Sequence, residues 1–414
     1  MSFALHILIA SSILTSSWQV FANADCSSSA NIKSFYECVL QYEPGYKEAN
    51  LIQSAAKASR DVISKWPNPQ VEVTSISGEN AGEKVGGTEV SVSLSVSDLL
   101  IKRPALSKSG RIEEKLLTVE SEEAAFKAKS QIIKDLYRYR QITDELELVD
   151  EALSTFKKIE QQFKSRSARG PEQEITLNLV ELAQGEYELQ KNHLTVELSE
   201  ILSKYKGIFG SQFSFKSQWL PQARQNWPAV SNSSGLQATF EFRKLEAEKE
   251  KHEAEKSLAN AESWPNIEAG PVFERTTEGP TQYNSVGISL TVDVPILNWN
   301  SGARRLANIN LERANLNYEH ALRRMNSDRD LLIAKYITAV ESLNRSTSSD
   351  ALKKKHNYID KLFRQGLTSG ATVIEAHRQI SGFTESQHEH EIVALDSLMY
   401  IYQLSGKDPS EVIK

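Results

Sequence analysis

The stretch Val90-Ser91-Val92-Ser93-Leu94-Ser95-Val96-Ser97 alternates apolar and small polar residues without a break. A period of two is that of an extended strand, so Val90, Val92, Leu94 and Val96 share one face and the serines the other. The pattern returns in Val286-Gly287-Ile288-Ser289-Leu290-Thr291-Val292, with Val286, Ile288, Leu290 and Val292 on the apolar side. A water-facing sheet also alternates. Here, however, the polar positions are Ser, Gly and Thr rather than Lys and Glu, and Trp66, Trp264 and Trp299 bracket the strands as interfacial anchors do in membrane barrels. The partner strands, around residues 70–76 and 267–273, alternate less regularly.

These two stretches belong to an internal repeat. Trp66-Pro67-Asn68 recurs as Trp264-Pro265-Asn266 at an offset of 198, and Ser93-Leu94-Ser95-Val96 as Ser289-Leu290-Thr291-Val292 at 196. Arg169-Gly170 is echoed by Gln365-Gly366, again at 196. Three echoes in one order at nearly one offset imply two copies of one unit. Each copy runs helix, Trp-Pro-Asn, hairpin, very long helix, Gly-containing turn and return helix. The proline after each Trp ends the incoming helix, because it lacks a donor and restricts the residue before it. The expected division is an export signal over 1–24, repeat one over 25–207, a linker over 208–235, repeat two over 236–404 and a tail over 405–414.

The long segments are helical rods. Residues 301–364 contain no proline, and no glycine after Gly302 but before the turn, so a continuous helix there reaches about 90 Å at ~1.5 Å per residue. Leu311, Ala314, Tyr318, Ala321 and Met325 keep the three-four spacing of a coiled-coil seam, and residues 110–169 form a matching rod with Leu153, Phe156, Ile159 and Phe163 on one stripe.

Two hairpins supply four strands, whereas a closed membrane barrel needs at least about eight, and open edges leave backbone groups unpaired in lipid. Several chains must therefore pool their strands. The fold class expected is a mixed α/β membrane protein, with a helical coiled-coil tunnel and a β-barrel shared between protomers.

The bulk properties agree. The 414 residues carry a formal charge of −6 with 25% charged and 8% aromatic side chains, which gives no basic face for nucleic acid. Residues 5–20 are apolar or small and Ala22-Asn23-Ala24 offers a cleavage site, although only His6, and no Lys or Arg within it, precedes most of that run. No later stretch approaches the ~20 apolar residues of a spanning helix. Cys26 and Cys38 are the two cysteines. The sequence leaves open whether they pair, stay free, or whether Cys26 carries lipid, for which Asp25 is a poor preceding residue.

The order Trp66-Pro67-Asn68-Pro69-Gln70, hairpin, long helix, Gly turn and return helix, given twice, resembles the TolC-like outer membrane efflux proteins over about residues 34–408. The segment Arg364-Gln365-Gly366-Leu367-Thr368-Ser369, running on to Val373-Ile374-Glu375-Ala376, looks like that family's periplasmic tip motif. Val294-Pro295-Ile296-Leu297-Asn298-Trp299-Asn300-Ser301-Gly302 looks like its strand-to-helix junction, closest to the heavy-metal (CzcC-type) branch. The resemblance implies a homotrimer with a twelve-stranded barrel in the outer membrane of a Gram-negative bacterium. It also implies tips that dock a periplasmic adaptor and, through it, an inner-membrane pump. Gly170, Gly366, Leu367, Thr368 and Ser369 would form the tips and Glu375 would face the tunnel constriction. Thr372 stands where relatives often carry an acid, and in repeat one the acids of Glu172-Gln173-Glu174 lie on the turn instead.

No residue pattern supports catalysis or a cofactor: there is no Ser-His-Asp order, phosphate loop or zinc spacing. His388-Glu389-His390 is the one sequence-local histidine cluster, but residues two apart point to different sides of a helix, so no metal site is expected there. The charged run 243–256 reads as an exposed helix face with Glu–Lys pairs along it. The expected function is a passive exit duct, for heavy-metal cations or else for drugs or secreted protein. From another class, a soluble periplasmic coiled-coil scaffold is the alternative.

Overall fold

The computed structural model describes residues 26–80, 83–165, 167, 170–224, 226–230, 235–296, 299–347 and 349–413. The export signal expected over 1–24 lies outside them, as do Arg169 of the first tip and Leu297 and Asn298 of the junction.

The elements run twice through a helical segment, a hairpin, a long helical arm and a return helix. Repeat one comprises α1 (Ile32–Tyr42), α2 (Pro44–Ile63), β1 (Gln70–Asn80), β2 (Glu83–Ser95), α3 (Arg103–Lys164) and α4 (Pro171–Phe209). Repeat two comprises α5 (Phe240–Ala261), β3 (Asn266–Glu278), β4 (Thr281–Asp293), α6 (Ser301–Arg345), α7 (Ser349–Arg364) and α8 (Gly370–Ser405). The four strands form one antiparallel sheet in the order β1-β2-β3-β4, so β1 and β4 are free edges within the chain. Among the described residues no helix is long and apolar enough to cross a membrane.

The 62 residues of α3 span about 93 Å at ~1.5 Å per residue. Its hydrophobic stripe buries Ile132, Ile133 and Leu136 in a central core with Tyr336, Leu395 and Leu398, each aliphatic side chain contributing about 1.5–3 kcal/mol. The N-terminal segment is tied to that core. Cys26 and Cys38 form a disulfide, Phe35 stacks on Trp219 at 4.3 Å between ring centres, and the Trp219 indole N–H donates to the Ser29 carbonyl at 3.0 Å. A second core nearer the tips gathers Phe156, Ile159, Val180, Val373 and Ile374.

Three expectations need correction. The second rod is not continuous over 301–364: α6 stops at Arg345, and Ser346 is extended (φ −70°, ψ 153°). Ser346 and Thr347 are poor helix formers whose hydroxyls compete for backbone partners. The Ser346 hydroxyl donates to the Leu343 carbonyl at 2.7 Å, and Gln387 Nε2 of α8 donates to Ser346 Oγ and to the Thr347 carbonyl at 2.6 and 3.0 Å. Secondly, β2 ends at Ser95, so Val96 opens a helical turn and does not share the strand face. The Asp98 amide donates to Ser95 Oγ, and Ser97 Oγ bonds Asn266 and the Ile267 amide, which turns the chain out of the sheet. Thirdly, the charged run on α5 pairs mainly across to α3: Lys115 meets Glu246 and Glu250 at 3.3 and 3.0 Å, Lys251 meets Glu113 at 3.3 Å, and Arg243 and Lys244 bond Glu122 and Glu123. Fully buried Ala247 and Ala254 let the two helices approach closely enough for this.

Candidate functional site

The sheet gathers one apolar surface, which Glu79 and Arg275 share near its far end, while Ile76, Val85 and Val272 lie on the opposite face. Val71 pairs with Val92 and Val73 with Val90; Val90 then faces Phe273, and Leu94 faces Ala269. Across β3 and β4, Phe273 faces Val286, Pro271 faces Ile288, Ala269 faces Leu290 and Ile267 faces Val292. Because side chains alternate along a strand, this register puts Val90, Val92, Leu94, Val286, Ile288, Leu290 and Val292 on one surface, as expected for all but Val96. That surface is not covered by the chain itself: Ile288 is 86% and Val286 80% exposed. Strands of 11 and 13 residues are also about the length, 9–11 residues, that spans a bilayer at a tilt.

Trp66 precedes β1, Trp264 precedes β3 and Trp299 follows β4, so in an antiparallel sheet all three lie at its helical end, and all are exposed. Asn300 adopts the left-handed conformation (φ 53°) at the start of α6, where its side-chain amide donates to the Ala259 carbonyl of α5 at 3.2 Å. A short polar side chain tolerates this conformation where most residues do not.

The opposite face is acidic. The same register aligns Glu72, Glu89, Glu268, Glu274 and Glu278 there, with no Lys or Arg among its described residues. Sequence alternation located the face, but the less regular β1 and β3 hid how many acids share it.

At the far end of the rods the two tips meet. Gly366 is left-handed (φ 70°), its amide donates to the Phe363 carbonyl at 2.9 Å, and the Leu367 amide reaches the Leu362 carbonyl at 2.9 Å. This is the Schellman closure of a helix. Leu367 is exposed, Thr368 is half-buried, and Ser369 caps α8 by accepting from the Thr372 amide at 3.2 Å. Gly170 caps α4 in an ordinary extended conformation. Gly370, which the sequence did not single out, lies where an added Cβ would meet Thr176 at 3.0 Å and Ile159 at 3.3 Å, and so joins the two repeats at the tip. Glu375 is exposed on α8, accepts from Gln379 Nε2 at 3.0 Å and lies 3.7 Å from Arg378.

The histidines divide differently from the sequence pattern. His388 Nδ1 bonds Glu145 at 2.6 Å and His390 Nδ1 bonds the Ser386 carbonyl at 2.7 Å, so that pair does not converge. His356 of α7 and His377 of α8 do converge, with their Nε2 atoms 3.3 Å apart and both rings buried. Burial, and then the neighbouring His356, push the His377 pKa down to about 4, so the ring is neutral near pH 7. The 21-residue separation and the intervening turn concealed this cluster, although His356 and Asp360 stand four apart on one helix face.

No protein-family model matches the sequence, and no curated protein matches it either. Solved structures do match. The CmeC outer membrane channel of Campylobacter jejuni superposes with a TM-score of 0.67 at 14% identity, covering 91% of this chain and 88% of CmeC. The MtrE outer membrane channel of Neisseria gonorrhoeae, in its open state, gives 0.67 at 12% identity over 94% of this chain and 95% of MtrE. CusC, solved in structures that address transmembrane channel formation, gives 0.65 at 14% identity over 91% and 92%. The chain therefore has the fold of the outer membrane channels over nearly its whole length.

Proposed function

We propose that this chain is one protomer of an outer-membrane efflux duct, a homotrimer whose pooled strands close a twelve-stranded barrel and whose helices form a periplasmic tunnel. The observation that carries the reading is the register-matched apolar face of a four-stranded sheet with two free edges. Such a sheet is stable in lipid only when closed, and three copies supply an even number of strands above the minimum for a barrel. The rods support the same assembly. Ile175, Leu179, Leu182, Leu189 and Val196 keep heptad-like spacing along α4 yet are exposed, as a seam awaiting a neighbouring helix would be. In this reading Gly170 and the turn Gly366-Leu367-Thr368-Ser369 dock an adaptor that couples the duct to an inner-membrane pump, and Glu375 lines the constriction.

The acidic polar face favours cations as cargo, because a lumen lined by one sign of charge concentrates the opposite one. Heavy-metal ions are the cargo that this and the strand-to-helix junction together suggest, ahead of anionic drugs.

Mild detergent extraction of outer membranes, followed by mass measurement, tests the reading. A heat-sensitive trimer confined to that fraction is expected. A monomer or dimer released from the periplasm by osmotic shock would instead establish the scaffold.

A further inference from the structure

We propose that His356, Asp360 and His377 form a binding site for one divalent transition-metal cation of the zinc class, set inside the helical bundle close to the tip. The site is independent of the duct reading, since it concerns what holds one helix in place and not what passes through a tunnel.

The two Nε2 atoms lie 3.3 Å apart, and Asp360 Oδ1 lies 4.0 Å from that of His356 and 3.9 Å from that of His377. The circumcentre of this triangle is about 2.2 Å from all three atoms, within reach of zinc–nitrogen and zinc–oxygen bonds of about 2.0–2.2 Å. The nitrogen pair already has the edge length of a zinc tetrahedron, about 3.3 Å for bonds of about 2.05 Å. A small rotation of the carboxylate completes the set. Two imidazoles and one carboxylate are a borderline-soft donor set, which suits zinc and its neighbours and not calcium or magnesium.

A second observation is independent of those distances. Asp360 Oδ1 is buried and makes no hydrogen bond. A buried carboxylate oxygen without a partner is costly, and a cation held between it and the two rings removes that cost. A further carboxylate stands behind the site: Glu151 Oε1 of α3 lies 3.6 Å from His356 Nδ1. This is where a group that orients a ligating ring belongs.

The placement suggests what the ion does. α7 is a short, lysine-rich helix that follows the break at Ser346 and Thr347 and precedes the Gly366 turn, and among its described residues Ile359 and Phe363 pack against the apolar core near the tips. His377 packs edge-on against Phe156 of α3 with ring centres 5.4 Å apart. An ion bridging His356 and Asp360 to His377 fastens α7 to α8 and sets the direction in which the chain enters the tip.

The test uses the full mature chain in detergent, stripped with a chelator and titrated with cobalt(II), then with zinc(II). Tetrahedral cobalt d–d bands that saturate at one ion per chain and are displaced by zinc are expected. His356→Ala with His377→Ala should abolish them, Asp360→Asn should weaken cobalt binding at least about tenfold, and Glu151→Gln about 10- to 100-fold. His388→Ala with His390→Ala should leave them intact. Hydrogen exchange of α7 amides should slow when zinc is added to the wild-type protein. Absence of the bands in the folded wild-type chain overturns the site, whatever the variants do. So does a spectrum that survives the loss of both His356 and His377, or one that disappears with His388 and His390.

Discussion

The guanidinium of Arg103, at the first turn of α3, lies 3.4 Å from the centre of the Trp66 ring. It joins the start of the long rod to the Trp-Pro-Asn segment that precedes the first strand, at the boundary where sheet gives way to helix. A cation over an indole is worth about 0.5–2 kcal/mol, more as it is shielded from water. A double-mutant cycle with Trp66→Leu and Arg103→Met, followed by denaturant unfolding of the detergent-solubilised protein, should return a coupling of about 0.5–1 kcal/mol. Additive effects would show that the stacking carries no energy.

Neighbouring residues on β4 provide a sharper test of the proposed barrel. Ile288 lies on the apolar face and Ser289 on the acidic one. If the apolar face meets lipid, Ile288→Arg costs about 2–4 kcal/mol near the bilayer midplane, whereas arginine on the lumen side is tolerated. Ile288→Arg should therefore reduce the heat-sensitive trimer in outer membranes, and Ser289→Arg should leave it at wild-type abundance. Equal losses from both would contradict a lipid-facing assignment.

Much of this architecture was legible because two periodicities survive translation into space. The alternation at Val286-Gly287-Ile288-Ser289-Leu290 needs no tertiary information, since a strand has only two faces. The seam through Leu311, Tyr318 and Met325 is likewise a property of one helix, and Met325 is indeed buried. What escaped depends on partners distant in sequence. Val96 continues the alternation perfectly, yet hydrogen bonds from Ser95 and Ser97 to repeat two and to the following turn end the strand before it. The charges of α5 looked like intrahelical pairs because Glu and Lys recur at suitable spacing, but their partners sit on α3, more than a hundred residues away. His356 and His377 meet only because the chain reverses at Gly366.

Arg138 and Glu197 bind each other through two hydrogen bonds, Nε to Oε1 at 2.6 Å and Nη2 to Oε2 at 2.7 Å, between α3 and α4. The Arg138 hydrogen bond holds the Glu197 carboxyl below its ordinary value of about 4.5, against the opposing effect of burial. A carboxyl whose pKa is lower in the folded state releases protons on folding, so its contribution is complete above the unfolded value and is lost as the pH falls through the folded one. Glu197→Gln should cost about 1–2 kcal/mol at pH 7, a bidentate charged bond discounted for partial exposure. The gap between variant and wild type should close as unfolding is measured at pH values falling below 4.5. A gap that stays constant into strong acid would mean that the charge of Glu197 contributes nothing.

The tip glycines look equivalent in sequence, each at a helix-to-helix turn, but they do not tolerate a side chain equally. Neither has an atom within 4 Å of a built Cβ, so packing does not separate them. Backbone conformation does: Gly366 has φ 70° and Gly170 has φ −75°. A residue with a Cβ pays about 1–2 kcal/mol for the left-handed conformation and nothing comparable in the extended region. Gly366→Ala should therefore destabilise the closure of α7 by about 1 kcal/mol and speed hydrogen exchange at Leu367, whose amide completes the turn. Gly170→Ala should change local exchange by less than about 0.5 kcal/mol, or protect it slightly by stiffening the unfolded chain. If adaptor docking depends on the shape of the turn and not on the glycine itself, Gly366→Asn should restore both exchange protection and binding, because asparagine accepts the left-handed conformation with a smaller penalty. Restored protection without restored binding would instead mean that the partner reads the bare backbone at Gly366.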